Sequence, residues 1–378
     1  MEFVFTEEQQ MIRETAESFL RDNSTSAAIR KAMATEQGYD ADLWRSICND
    51  LCFQSITIPE QHGGMGLGYV ELVAVLEQMG RFLLCSPFFS TVCLASNALY
   101  VAGTEAQQAE YFAKIINGET GTLLLNNSGK LHADDVNVGY KKSGNDFVLN
   151  GSYRYVIDGH TANFFVAAAN GENGVGLFVL PADSKGVTRK WLPTIDQTRK
   201  QAEVVFNNVT VSSAQCLKLD ASSELQKILQ LAMIATAAEQ MGAAQQILDM
   251  TVAYTKERVQ FNRPIASFQA VKHQAADMML KAEVARSAVY YAACVADDTL
   301  RCGSLSAELP EAASVAKAWC SDAFFHNAST AMQLHGGVGF TWEYDVHLYF
   351  KRAKSSEIFL GNAAYHREHI AQILLDQP

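Results

Sequence analysis

The sequence predicts an α+β chain in three parts, on three observations. Residues 6–120 carry apolar positions at helical spacing, Gly121 to Val211 carry short β-rich runs broken by turn pairs, and helical periodicity returns from about residue 223. The expected divisions are a helical domain over 1–120, a β-domain over 121–222 and a helical bundle over 223–378. At 378 residues the chain is too long for one ordinary core and suits two or three domains.

Each element has its own signal. Thr6 is a candidate N-cap with Glu7 and Glu8 in the first turn, and Met11, Ile12, Ala16, Phe19 and Leu20 follow at helical spacing. Pro59-Glu60-Gln61-His62-Gly63-Gly64-Met65-Gly66 reads as a turn-rich loop, after which Glu71 to Leu76 is helical again. In the middle, Thr122 to Leu125, Phe147 to Leu149, Asn163 to Ala167, Gly176 to Leu180 and Glu203 to Phe206 read as strands. Asn150-Gly151, Asp158-Gly159 and Asn207-Asn208 read as the turns between them, which suggests a small antiparallel sandwich or barrel. Three long Ala-rich patterns, Glu224 to Glu257, Ala275 to Asp298 and Glu311 to Gln333, argue for a helix bundle.

Composition narrows the partners. A net charge of −11 disfavours nucleic acid and anionic membrane, both of which reward Lys/Arg patches. No apolar run reaches the length that spans a bilayer, and the acidic start lacks the pattern of a signal peptide. The eight cysteines form no C-x-x-C pair and sit mostly among apolar residues, so they read as buried free thiols in a reducing cytoplasm.

The most informative stretch is Tyr254-Thr255-Lys256-Glu257-Arg258-Val259-Gln260-Phe261-Asn262-Arg263-Pro264-Ile265, followed by Phe268-Gln269. It is answered later by Gln333-Leu334-His335-Gly336-Gly337-Val338-Gly339-Phe340. The glycines there follow a helical segment, not a strand, so they are no dinucleotide fingerprint. Together with Phe5-Thr6-Glu7-Glu8-Gln9, the Ile58 to Gly66 segment and Glu77-Gln78-Met79-Gly80-Arg81, the pair of motifs resembles the acyl-CoA dehydrogenases along the whole chain. The resemblance implies an N-terminal helical domain, a central antiparallel β-domain and a C-terminal four-helix bundle. It also implies that the two motifs hold the ADP half of an FAD belonging to a neighbouring subunit.

On that resemblance Arg258 would neutralise the pyrophosphate with a forked donor set, Gln260 would add a donor, and Phe261 would give an apolar contact. Gln333, Gly336 and Gly337 would let backbone approach the adenosine closely. Ile265 and Phe268 complete the expected set. His273, at helical spacing from Gln269, and Glu239 read instead as structural and helix-packing residues.

Departures from the family are equally specific. The family's proton-abstracting glutamate falls at Leu360, within Phe359-Leu360-Gly361-Asn362. The alternative position for that base falls at about Ala232. Neither side chain can accept a proton. Leu125-Asn126-Asn127-Ser128-Gly129-Lys130-Leu131-His132 lacks the family's own-flavin loop, and Tyr155-Val156-Ile157 stands where a Trp-Ile-Thr strand is usual. Tyr155 could still stack on a flavin ring, but Ile157 has no hydroxyl to donate.

An intact half-site offered to a neighbour beside an eroded own half-site resembles the non-catalytic partner in heteromeric acyl-CoA dehydrogenases of bacterial steroid and bulky acyl-CoA breakdown. The resemblance implies a homologous catalytic subunit as partner, an acyl-CoA thioester as substrate for α,β-dehydrogenation, FAD as cofactor and an electron-transfer flavoprotein as acceptor. Two other readings stay open: a self-sufficient homotetrameric flavoenzyme with a relocated base, and a flavin-free scaffold.

Overall fold

The computed structural model describes residues 5–125 and 136–375. In chain order the first helices are α1 (Glu7–Asn23), α2 (Ser26–Met33), α3 (Ala41–Asn49), α4 (Tyr69–Arg81), α5 (Asn97–Ala102) and α6 (Glu105–Ile116). The strands β1 (Gly121–Leu124), β2 (Gly139–Ser143), β3 (Asp146–Ile157), β4 (Phe164–Gly171), β5 (Gly174–Pro181), β6 (Val187–Leu192), β7 (Gln201–Val211) and β8 (Cys216–Lys218) follow. After α7 (Ser222–Glu257) come the short strands β9 (Val259–Gln260) and β10 (Arg263–Pro264). The chain then runs through α8 (Gln269–Arg301), α9 (Leu309–His335), α10 (Val346–Ile358) and α11 (Ala363–Leu375).

The fold is α+β: helical N-terminal region, central mixed sheet, C-terminal helix bundle. Two compact units are assembled from it. One takes Met1–Ile29, Tyr69–Leu84 and Met233–Pro378, the other Arg30–Gly68 and Cys85–Ala232.

In the first unit, α1 opens with the expected cap. Thr6 Oγ1 accepts from the Gln9 backbone N–H at 3.2 Å, and the Gln9 side chain accepts from the Thr6 N–H at 3.1 Å. Glu7 and Glu8 add negative charge at the positive end of the helix. Ala16 and Leu20 are buried while Met11 is exposed, because α1 covers its neighbours with one face only. Helix α4 is buried along most of its length and comes against α7 at two glycines. A Cβ on Gly80 would lie 2.0 Å from the Glu239 carbonyl, and one on Gly242 1.8 Å from the Glu77 carbonyl. Glu77, buried beside this crossing, accepts from Arg286 and from the Tyr290 hydroxyl of α8.

The second unit is built on an eight-stranded sheet of order β6-β7-β3-β2-β4-β5-β8, with β1 beside β4. Its pairing is antiparallel apart from β1 with β4 and the Gly139–Asn170 pair of β2 and β4. Leu149, Tyr153, Phe165, Phe178, Val204 and Phe206 fill its core. The Tyr153 hydroxyl is satisfied there by the Ala168 carbonyl at 2.8 Å.

Two expected turns are not turns. Asn150-Gly151 and Asn207-Asn208 lie inside β3 and β7, facing one another across a register shift. Asn150 Oδ1 accepts from the Asn208 N–H at 2.8 Å, and Gly151 takes φ 137°, so the local turn chemistry serves a bulge. Asp158-Gly159 does turn the chain after β3. The cysteines divide: Cys48, Cys85, Cys93 and Cys320 are buried, but Cys52 and Cys302 are exposed.

Candidate functional site

Arg258 is the first residue beyond α7, its N–H closing the last turn onto the Tyr254 carbonyl at 2.9 Å. A two-residue hairpin follows. Gln260 pairs with Arg263 and Val259 with Pro264. Phe261 and Asn262 at the tip take φ 53° and 60°, which is the primed turn that matches strand twist. Positive φ is uncommon for a phenylalanine, and this one is also 86% exposed. The primed turn accounts for the positive φ, but no packing within the described chain covers most of the ring.

The hairpin closes with the Ile265 N–H donating to the Arg258 carbonyl at 2.9 Å. Half-buried Ile265 starts a single tight turn, and Phe268 then caps α8. The Phe261 and Phe268 rings meet edge to face at 6.1 Å. The Arg263 guanidinium lies over the Phe268 ring, 4.0 Å from its centroid.

The second motif ends α9. Gln333 is exposed on the last turn, and Gly336, at φ 59° and ψ −140°, stops the helix in a conformation that needs glycine. Added Cβ atoms at Gly336 and Gly337 would meet nothing within 4 Å, so no packing within the described chain requires Gly337 to be glycine. Phe340 and Trp342 just beyond are exposed.

Tyr254 and His335 bring the two motifs to the same end of the bundle. Their rings stack at 4.2 Å and 19°, and the Tyr254 hydroxyl donates to the His335 carbonyl at 3.3 Å. Tyr344 stands edge-on to both. Burial holds His335 below the usual histidine range, and its Nδ1–H donates to the Ala331 carbonyl at 2.8 Å. A neutral imidazole suits a stacked, half-enclosed ring. Neither residue was singled out by its sequence. The only signal was position: Tyr254 one turn before Arg258, and His335 two residues after Gln333.

Leu360, expected from the resemblance at the position of the base, is 3% exposed and sits at φ 57°, with Gly361 at φ 90°. The loop is held from behind. His366 Nε2–H donates to the Leu360 carbonyl at 2.8 Å. Lys317, wholly buried, donates to the carbonyls of Gly361 (2.9 Å) and Glu357 (3.1 Å) and to Ser321 Oγ (2.9 Å). Burial pushes the Lys317 ammonium down to about 7. Burial first, then the nearby Lys317, pushes His366 down to about 4. The loop therefore keeps an elaborate support and carries no titratable side chain at its centre.

Ala232 is also fully buried. Tyr155 is exposed at φ 62° beside Arg154, while Ile157 is buried. Of the own-flavin loop, Asn126 to His132 lie outside the described residues. Among the described helices none is long and apolar enough to cross a membrane.

The chain is helical, then β, then helical, and it presents an exposed Arg/Phe hairpin and a glycine-ended helix at the same end of the bundle. Residues 6–119 match the model for the acyl-CoA dehydrogenase N-terminal domain, and residues 223–375 that for the C-terminal domain. The chain is 33% identical to the acyl-CoA dehydrogenase IpdE2 of Mycolicibacterium smegmatis over 94% of its length and 95% of that protein's. Its fold matches a chain of the ChsE4-ChsE5 complex from Mycobacterium tuberculosis with a TM-score of 0.91 at 29% identity, covering all of both. A chain of the Tcur3481-Tcur3483 steroid acyl-CoA dehydrogenase G363A variant matches with a TM-score of 0.88 at 28% identity, covering 98% of each. The chain belongs to the acyl-CoA dehydrogenase family, whose likeness implies an FAD site.

Proposed function

We propose that this chain is the non-catalytic subunit of a heteromeric FAD-dependent acyl-CoA dehydrogenase. It supplies Arg258, Gln260, Phe261, Ile265, Phe268, Gln333, Gly336 and Gly337 to the ADP half of an FAD seated mainly on a homologous catalytic partner. One observation carries the reading: the hairpin bearing Arg258 and Phe261 is exposed, while the base position is a buried leucine. Likeness to chains of two-component complexes supports it.

The residues fit the group. Among the described residues Arg258 forms no ion pair, so its fork is available to an anion. Gln260 shares the hairpin with it, Phe261 offers an uncovered ring, and the space beside Gly336 and Gly337 is open. Bound there, FAD supplies the hydride acceptor for α,β-dehydrogenation of an acyl-CoA thioester. This chain's residues would anchor and orient the cofactor's far end. The proton-abstracting carboxylate would come from the partner, and an electron-transfer flavoprotein would reoxidise the flavin.

The test is FAD retention. Arg258→Ala should raise the FAD dissociation constant of the assembled enzyme about a hundredfold, the typical worth of a charge-assisted pair. Unchanged FAD content on dilution would remove Arg258 from the site.

A further inference from the structure

We infer that Arg263 is a second guanidinium contact to the dinucleotide's diphosphate, set in place by Phe268; this rests on the reading of Arg258 given above. The hairpin register carries the inference. Arg263 pairs directly with Gln260, and Arg258 precedes Gln260 by two residues. Alternation along a strand puts all three on one face, with Val259 and Pro264 on the other. The face expected to meet the cofactor therefore carries two arginines.

Neither arginine is committed elsewhere. In a chain with 30 basic and 41 acidic residues, Arg81, Arg286, Arg301 and Arg367 all pair with carboxylates. Among the described residues Arg258 and Arg263 do not. Arg263 rests instead on the Phe268 ring, 4.0 Å from its centroid, and that ring is braced by Phe261. A guanidinium donates hydrogen bonds in its own plane, so covering its face leaves the donors usable. The ring also removes rotamers that a ligand would otherwise have to freeze. A dinucleotide diphosphate carries two anionic phosphates, and two guanidinium forks on one face, one of them held by a ring, match one to each. The pair would favour a diphosphate over a monophosphate, hence FAD over FMN.

The experiment measures FAD dissociation from the purified FAD-containing assembly of this chain, at two salt concentrations. Arg263→Ala should weaken FAD about tenfold and make its dissociation less salt-dependent, because a screened attraction has been removed. Native mass should not move, since Arg263 is exposed on the hairpin. Phe268→Leu, which keeps bulk but removes the ring face, should give part of the same loss. If Arg263→Ala holds FAD as the parent does while Arg258→Ala loses it, the role of Arg263 is wrong and the reading of Arg258 stands. If both hold FAD fully, both fall.

Discussion

Leu360 occupies a backbone conformation that costs a branched side chain free energy, and the chain spends two buried titratable groups on holding it there. His366 has the clearer pH signature of the two. Its folded pKa of about 4 lies below its ordinary 6.5, so between those values the unfolded chain binds more protons than the folded one. Stability must then fall as pH drops through that window, by up to about 3 kcal/mol from this residue. His366→Gln can keep a donor toward the Leu360 carbonyl without titrating. Its urea midpoint should lose less than the parent's between pH 6.5 and 4. Parallel curves for the two proteins would show that His366 is not the linked group. The glutamate-to-leucine change was plain in the sequence. The buried clamp was not, because Lys317 and His366 meet the loop only after α9, α10 and α11 have packed.

Among the elements, the crossing of α4 and α7 is set by two glycines, Gly242 in the interior of α7, where propensity disfavours it, and Gly80 in the last turn of α4. Their value is contact: each backbone lies where the other's Cβ would be. Gly242→Ala forces the helices apart and loosens the Glu77–Arg286–Tyr290 contacts beside them, so it should cost about 3 kcal/mol, near the upper range for overpacking. Thermal or urea unfolding measures this directly, and a loss below about 1 kcal/mol would mean the helices slide apart without penalty. Legibility differed sharply between elements. The long helices α7, α8 and α9 showed in the sequence because each is a long Ala-rich apolar run without Gly/Pro breaks at short intervals. The strands β2 and β6 did not, because Gly139 to Ser143 is mostly exposed and polar and Val187 to Leu192 has no buried position. They are held by ladder pairing to β3 and β7, which no local pattern reports. In the candidate site, spacing and resemblance alone put the motif residues forward. The Tyr254–His335 stack and the Arg263–Phe268 platform did not show, because they depend on how a turn and two helix ends meet.

For the whole molecule, the two motifs proposed to face the cofactor also carry large rings that the chain itself leaves exposed. Phe261 is 86% exposed, Phe340 75% and Trp342 60%, clustered on the two motifs and the segment just after them. Leaving large rings in water forgoes roughly 1.5–3 kcal/mol each, which an obligate interface and a bound dinucleotide would recover. On the proposed reading the chain should therefore be flavin-poor and inactive toward acyl-CoA by itself. Co-expressed with its catalytic partner, it should form a complex with one FAD for each unlike pair, half as many flavins as polypeptides. Native mass together with the FAD-to-protein ratio reads both numbers in one preparation. A homotetramer of this chain carrying one FAD per subunit, with acyl-CoA-dependent bleaching of the flavin, would overturn the heteromeric reading. The base would then have to come from a carboxylate other than those at the two family positions, since Leu360 and Ala232 supply none.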